Sequence, residues 1–201
     1  MPAVLRYGEE HGWRRLTIDF RALLMSLVFQ AVDYLKLERL LRFDKLLSIG
    51  GTKYAFLDYF RDFDKVEAVR RIFRERTEEV LRNLKVEFTW WGGYMFVSSA
   101  DGHIVVSSRY LNSGDRTDIY LDLIHELVHV RQFMEGKKLF DTEYSYVERP
   151  TEIEAYRHAV EEARRLGLSD ERICEYLKTE WMSHEDFLRL ARTLNVGCER
   201  S

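Results

Sequence analysis

Between residues 64 and 84, apolar Val66, Val69, Ile72, Phe73, Val80, Leu81 and Leu84 recur at helical spacing with charge filling the other side, which predicts an amphipathic helix. The period then changes. The stretches "VEFTW" (86–90), "YMFVS" (94–98) and "HIVVSSRYL" (103–111) are rich in β-branched and aromatic residues. Gly92-Gly93 and Asp101-Gly102 separate them, so they predict a three-stranded antiparallel meander. Helical spacing returns over about 116–136, 151–166, 170–179 and 184–194, with Ser169 and Ser183 as N-caps of the last two. Upstream, 17–49 reads as one or two helices stopped at Gly50-Gly51, followed by an apolar cluster of Phe56, Tyr59, Phe60 and Phe63 expected in the core. No repeat, low-complexity tract or Pro/Ser-rich linker divides the chain. The expectation is one α+β domain over 1–201: a helical extension (1–62), a core (64–166) and C-terminal helices (167–201).

The helix over 116–136 has an unusual wheel. Tyr120, Leu121, Leu123, Ile124, Leu127, Val128 and Val130 cover a very broad apolar arc, interrupted by Arg131. The remaining arc gathers Asp122, His125, Glu126, His129 and Gln132, with Phe133. A helix apolar over most of its circumference is buried, and polar groups buried with it need partners such as a metal ion. His125 and His129 stand at i and i+4, where two imidazoles on one face reach a single ion. The competing reading is a pair of hydrogen-bonded histidines beside a cleft, with Glu126 as counter-charge.

A catalytic zinc site needs a third protein ligand and an open fourth position. The next helix, "RPTEIEAYRHAVEEARRLG" (149–167), offers Glu152 and Glu154. Glu152 falls near the centre of the face formed by Ala155, Ala159, Ala163, Tyr156, Val160 and Leu166, and so points inward. Glu154 falls on the opposite face with Arg157, Glu161, Arg164 and Arg165, and Thr151 to Glu154 has the spacing of a capping box. The metal is therefore assigned to Glu152. Against it stands the common placement of an acid in a first helical turn.

With "HELVH" on one helix and a glutamate in "PTEIEAY" on the next, the chain resembles the gluzincin zinc metallopeptidases over about 64–166. The order of backing helix, small antiparallel sheet, His-Glu helix and glutamate helix also resembles the compact peptidases that cleave bacterial repressors. The resemblance implies a zincin-like core, one zinc ion per chain held by His125, His129 and Glu152, and Glu126 as the general base and acid of peptide hydrolysis. It implies a peptide or protein substrate lying as an added strand along an edge drawn from 94–111. The aspartate that follows the glutamate in the larger, thermolysin-like members is absent; Tyr156 stands four residues after Glu152, leaving Asp122 or His158 to support the ligands. No third histidine follows at the metzincin spacing. Tyr144, Tyr146 and Tyr156 carry phenols that could stabilise an oxyanion. The alternative is a zincin-like scaffold whose output is binding or regulation, but such a site has no need of Glu126.

Composition removes other classes. The 31 Lys and Arg against 34 Asp and Glu leave a net charge of −3, so no basic field exists to hold a nucleic acid. The five arginines of 70–82 are interleaved with three glutamates and read as a solvated face. The most apolar stretch, "ALLMSLVFQAV" (22–32), is too short to span a bilayer, and the first residues lack the order of a signal peptide. Cys174 and Cys198 have no CxxC partner and read as separate thiols, from which a reducing, cytoplasmic location is expected.

Overall fold

A computed structural model describes residue 40 and residues 51–90 and 93–198. Apart from residue 40, the helices expected over 17–49 lie outside the described residues, as does Gly92 of the Gly92-Gly93 break. The protein is α+β: a four-stranded mixed sheet and a set of helices share one hydrophobic core running from Phe56 to Val196.

The sheet contains β1 (Lys53–Ala55), β2 (Lys85–Thr89), β3 (Met95–Val97) and β4 (Ile104–Ser107) in the order β1-β2-β4-β3. It is not the expected meander. β3 and β4 do form an antiparallel hairpin, with Phe96 opposite Val105, but β2 pairs with β4 in parallel, Glu87 opposite Val105. Burial explains the order. Every residue of β4 is buried, as a central strand requires, whereas β3 exposes Phe96 and takes the edge. Gly102, at φ +76°, makes the hairpin turn; a Cβ there would fall onto the Phe133 ring. The predicted strand at 103–111 stops early, because Ser107 Oγ accepts the Tyr110 N–H and caps helix α4 (Ser108–Ser113), introduced here after α1 (Phe56–Tyr59), α2 (Glu67–Phe73) and α3 (Thr77–Asn83).

The single helix expected over 64–84 is broken. A short 3-10 turn (Phe63–Lys65) precedes α2, and a second (Arg74–Arg76) separates α2 from α3, with Arg74 at φ +54°. The apolar face stays continuous, since Val69, Ile72, Phe73, Val80 and Leu81 are all buried.

Helix α5 (Arg116–Met134) is the central element, nineteen residues capped by Asp115, whose Oδ1 accepts the N–H groups of Thr117 and Asp118. It is covered by the sheet and by α6 (Pro150–Arg165). Ala155, Ala159 and Ala163 are fully buried on α6, so the two backbones approach closely. Glu162, 1% exposed, accepts the Tyr120 hydroxyl at 2.6 Å and both Arg165 nitrogens at 2.7 Å, pinning α6 to α5. Helices α7 (Asp170–Leu177) and α8 (His184–Thr193) follow, capped as expected by Ser169 and Ser183. Phe56, Phe60 and Phe63 are fully buried and stack on one another, as their cluster predicts.

Cys174 on α7 and Cys198 are joined in a disulfide. This overturns their reading as separate thiols. Disulfides persist in oxidising compartments and in the cytosol of hyperthermophiles, so cysteine usage no longer argues for a reducing compartment. No helix among the described residues is long and apolar enough to cross a membrane.

Candidate metal centre

Asp118, Asp122, Glu126 and His129 recur along α5 at the spacing that keeps residues on one face. That face forms the floor of a cleft of about 420 Å³, walled by β3 and by residues at and after the end of α7. His125, Glu126 and His129 are 6, 7 and 6% exposed, and Glu152, in the first turn of α6, is 5% exposed.

Three atoms converge at the floor. His125 Nε2 and His129 Nε2 are 3.0 Å apart, and Glu152 Oε2 lies 3.3 Å from the first and 3.4 Å from the second. Two imidazole nitrogens that close cannot both carry outward protons without a repulsion that only the carboxylate, or a shared cation, relieves. The group of His125, His129 and Glu152 could hold a metal ion. Glu152 Oε2 is buried without a hydrogen-bond partner, while Oε1 turns toward Arg149 at 3.6 Å.

Burial opposes ionisation of Glu152, but the closeness of His125 and His129 overcomes it and holds the carboxyl well below the usual range. Burial pulls His129 down too, and Glu152 and Glu126 more than reverse this, to about 9. Burial dominates for His125 and lowers it, favouring the neutral imidazole a ligand must be. Glu152 thus favours a proton on His129, while burial favours a neutral His125. An incoming cation displaces the His129 proton.

Glu126 points at the cleft rather than at the cluster's centre. Burial pushes it up to about 8 against the charges of His129 and a hydrogen bond from the Val97 main chain, and its Oε2 has no partner. The Val97 contact follows from strand geometry. Tyr94 O and Ser98 N bond to β4, so Met95 and Val97 present their main-chain groups to the opposite, cleft-facing edge.

The two glutamates separate as the wheel predicts, but for a different reason. Helix α6 begins at Pro150 with Arg149 as an N-cap that makes no side-chain bond, so no capping box forms. Glu154 instead accepts Arg131 at 2.6 Å, Gln132 at 2.8 Å and Lys137 at 3.1 Å. This also accounts for Arg131 in the apolar arc. His158 is half-buried among Arg131, Glu154, Glu161 and Arg71 and does not support the ligands. Asp122 is held by Tyr110 at 2.6 Å, away from the imidazoles. The support comes from Gln132, a role that its place in the same arc does not disclose: its Oε1 faces His129 Nδ1 at 2.7 Å.

Of the three tyrosines, Tyr144 is exposed, whereas Tyr146 and Tyr156 line the cleft with hydroxyls 3.1 Å apart, and the Tyr156 ring stands edge-on to His125 at 4.4 Å. Residues beyond 166 were expected to lie outside the core, yet Glu175, Tyr176, Lys178, Thr179 and Trp181 form one wall of the cleft. Only their position in space reveals this. No protein-family model, curated protein or solved structure matches the chain.

Proposed function

We propose that the protein is a zinc-dependent peptidase with a zincin-like core, His125, His129 and Glu152 holding the ion and Glu126 serving as general base and then acid. The observation that carries this reading is the spacing of the three donor atoms, 3.0, 3.3 and 3.4 Å. Donors about 2.0 to 2.1 Å from a tetrahedral ion lie roughly 3.3 Å apart, so the cluster suits zinc without rearrangement. Two imidazoles and one carboxylate, with a fourth direction open to the cleft, is the donor set of a catalytic rather than a structural site.

Bound there, zinc supplies a lowered pKa to a water molecule and polarises a carbonyl oxygen. With the ion in place, Glu126, whose Oε2 is free of other partners, would take a proton from the bound water and pass it to the leaving amine. The Met95 and Val97 main-chain groups align an extended peptide along the edge of β3. Tyr156, buried beside His125, and Tyr146 supply the phenols nearest the reacting carbonyl.

Elemental analysis of the purified protein tests the site. One zinc per chain is expected, lost with Glu152→Ala and kept with Glu154→Ala. Hydrolysis of a peptide library, abolished by Glu126→Gln with zinc retained, tests the reaction. Absence of zinc uptake by the native protein overturns the reading.

A further inference from the structure

The cleft extends past the general base toward the start of α5. Asp122 and Asp118 stand one and two turns from Glu126, roughly 6 and 12 Å along the axis. Tyr110 donates to Asp122 Oδ2 at 2.6 Å, and Tyr94 stands edge-on to Tyr110 with ring centres 4.8 Å apart. The facing wall carries Glu175 and Tyr176.

The charge at this end is unbalanced. Arg172 is committed to Asp115 at 3.0 Å and to Asp118 at 2.5 Å. Lys178 is exposed on the rim. Neither Asp122 nor Glu175 forms an ion pair with a described residue, although each lines the cleft. A second observation is independent of charge: Tyr176 is only 8% exposed, yet its hydroxyl, beside Asp122, has no hydrogen-bond partner, and neither has the buried Thr179 Oγ1. Buried polar atoms without partners are costly unless a ligand completes them.

We infer that this end of the cleft is a subsite for a basic side chain, lysine or arginine, of the peptide substrate, with Asp122 and Glu175 taking its charge and Tyr176 accepting one of its hydrogen bonds. The inference rests on the peptidase reading for its occupant. An extended lysine or arginine spans roughly the one helical turn between Glu126, where the scissile bond lies, and Asp122. The Tyr94 face, 40% exposed at the mouth, adds cation–π attraction to the methylene stem and charged head. An acidic side chain would meet Asp122, Glu175 and Glu126 together. A leucine would cover Asp122 and the Tyr176 hydroxyl without satisfying either, so selection is by penalty as well as by attraction.

Equilibrium binding separates this from catalysis. Arginine, lysine, leucine or glutamate is scanned through each position of a labelled alanine octapeptide. Fluorescence anisotropy then reads binding to the full-length, zinc-loaded Glu126→Gln protein. At one position arginine and lysine are expected to bind about tenfold more tightly than leucine, with glutamate weakest. Glu175→Gln, on the exposed wall, should remove part of that advantage, and the Asp122→Asn/Glu175→Gln pair the rest, with an unchanged circular dichroism spectrum. No basic preference at any position, no binding of any basic peptide, or a preference that survives both substitutions overturns the inference. The same peptides offered to the native enzyme test the other reading: a basic preference in binding without cleavage sinks the peptidase and leaves the subsite, while cleavage indifferent to the basic residue does the reverse.

Discussion

Gln132 accepts a hydrogen bond from His129 Nδ1 across 2.7 Å, and its own contacts fix the direction of that bond. Its amide nitrogen lies 3.0 Å from Thr151 O and 2.8 Å from Glu154 Oε2, both of which can only accept. Oε1 must therefore face His129, which must carry its proton on Nδ1. Nε2 is thereby the nitrogen aimed at His125 and Glu152, and its lone pair becomes available to an ion that displaces the proton there.

Gln132→Leu removes this orientation without touching a ligand. Zinc affinity should fall about 10- to 100-fold, measured by competition with a chromogenic chelator, while His129→Ala abolishes binding. A Gln132→Leu protein that binds zinc as tightly as the parent would show that the imidazole is held by packing alone.

How legible this was depended on range. The i, i+4 histidines, the inward Glu152 and the serine caps of α7 and α8 are local patterns, and the wheel places them correctly because helix geometry is rigid. Strand order is not local: the parallel pairing of β2 with β4 is settled by which strand buries both faces, and "HIVVS" carried that signal in its unbroken apolar run. The wheel separates Glu154 from the ligands, but its capping-box spacing misleads, because the helix starts at Pro150 with Arg149 as N-cap and Glu154 pairs with Arg131, Gln132 and Lys137. The contribution of α7 to the cleft and the pairing of Cys174 with Cys198 join residues that no periodicity links.

Asp122 makes the stability of the protein depend on pH in a predictable direction. Burial pushes its carboxyl up to about 6, opposed by the hydrogen bond from Tyr110 and the nearby Tyr176 hydroxyl and reinforced by Asp118. A carboxyl whose folded pKa lies above its unfolded value binds protons more tightly when folded. Its contribution is thus complete below about pH 4 and is lost as pH rises to about 6. Asp122→Asn cannot ionise and should gain on the parent across that window, by on the order of 2 kcal/mol. Urea unfolding of both proteins at pH 4, 5, 6 and 7 reads the difference; parallel curves would mean that Asp122 keeps its ordinary pKa.

The Cys174–Cys198 bond closes a loop of 24 residues, and the segment it secures is tied to α7 a second time by Gly197 N donating to Asp170 Oδ2 at 2.9 Å. Loop closure of that length stabilises by about 3 kcal/mol through the unfolded chain. Guanidinium unfolding with and without reductant should show a loss of that order. Amide exchange should also accelerate over Asp170–Leu177, the helix that carries Glu175 and Tyr176 to the cleft. Equal unfolding midpoints in the two conditions would show that the bond does not constrain the protein.

Arg74 marks the place where the periodic pattern of 64–84 fails to give one helix. Its backbone lies at φ +54°, ψ −130°, a region open to glycine and crowded for any residue with a Cβ. The break lets the Thr77 hydroxyl donate to Arg74 O at 2.6 Å and restarts α3, while Ile72, Phe73, Val80 and Leu81 all remain buried. The strain of such a residue is about 1 to 3 kcal/mol, and the surrounding structure holds it in place. Arg74→Gly relieves it at the cost of a more flexible unfolded chain, for a net gain of about 1 kcal/mol in chemical unfolding. Arg74→Ala keeps the Cβ and should gain nothing, so equal stabilisation by both would assign the effect to the lost arginine charge.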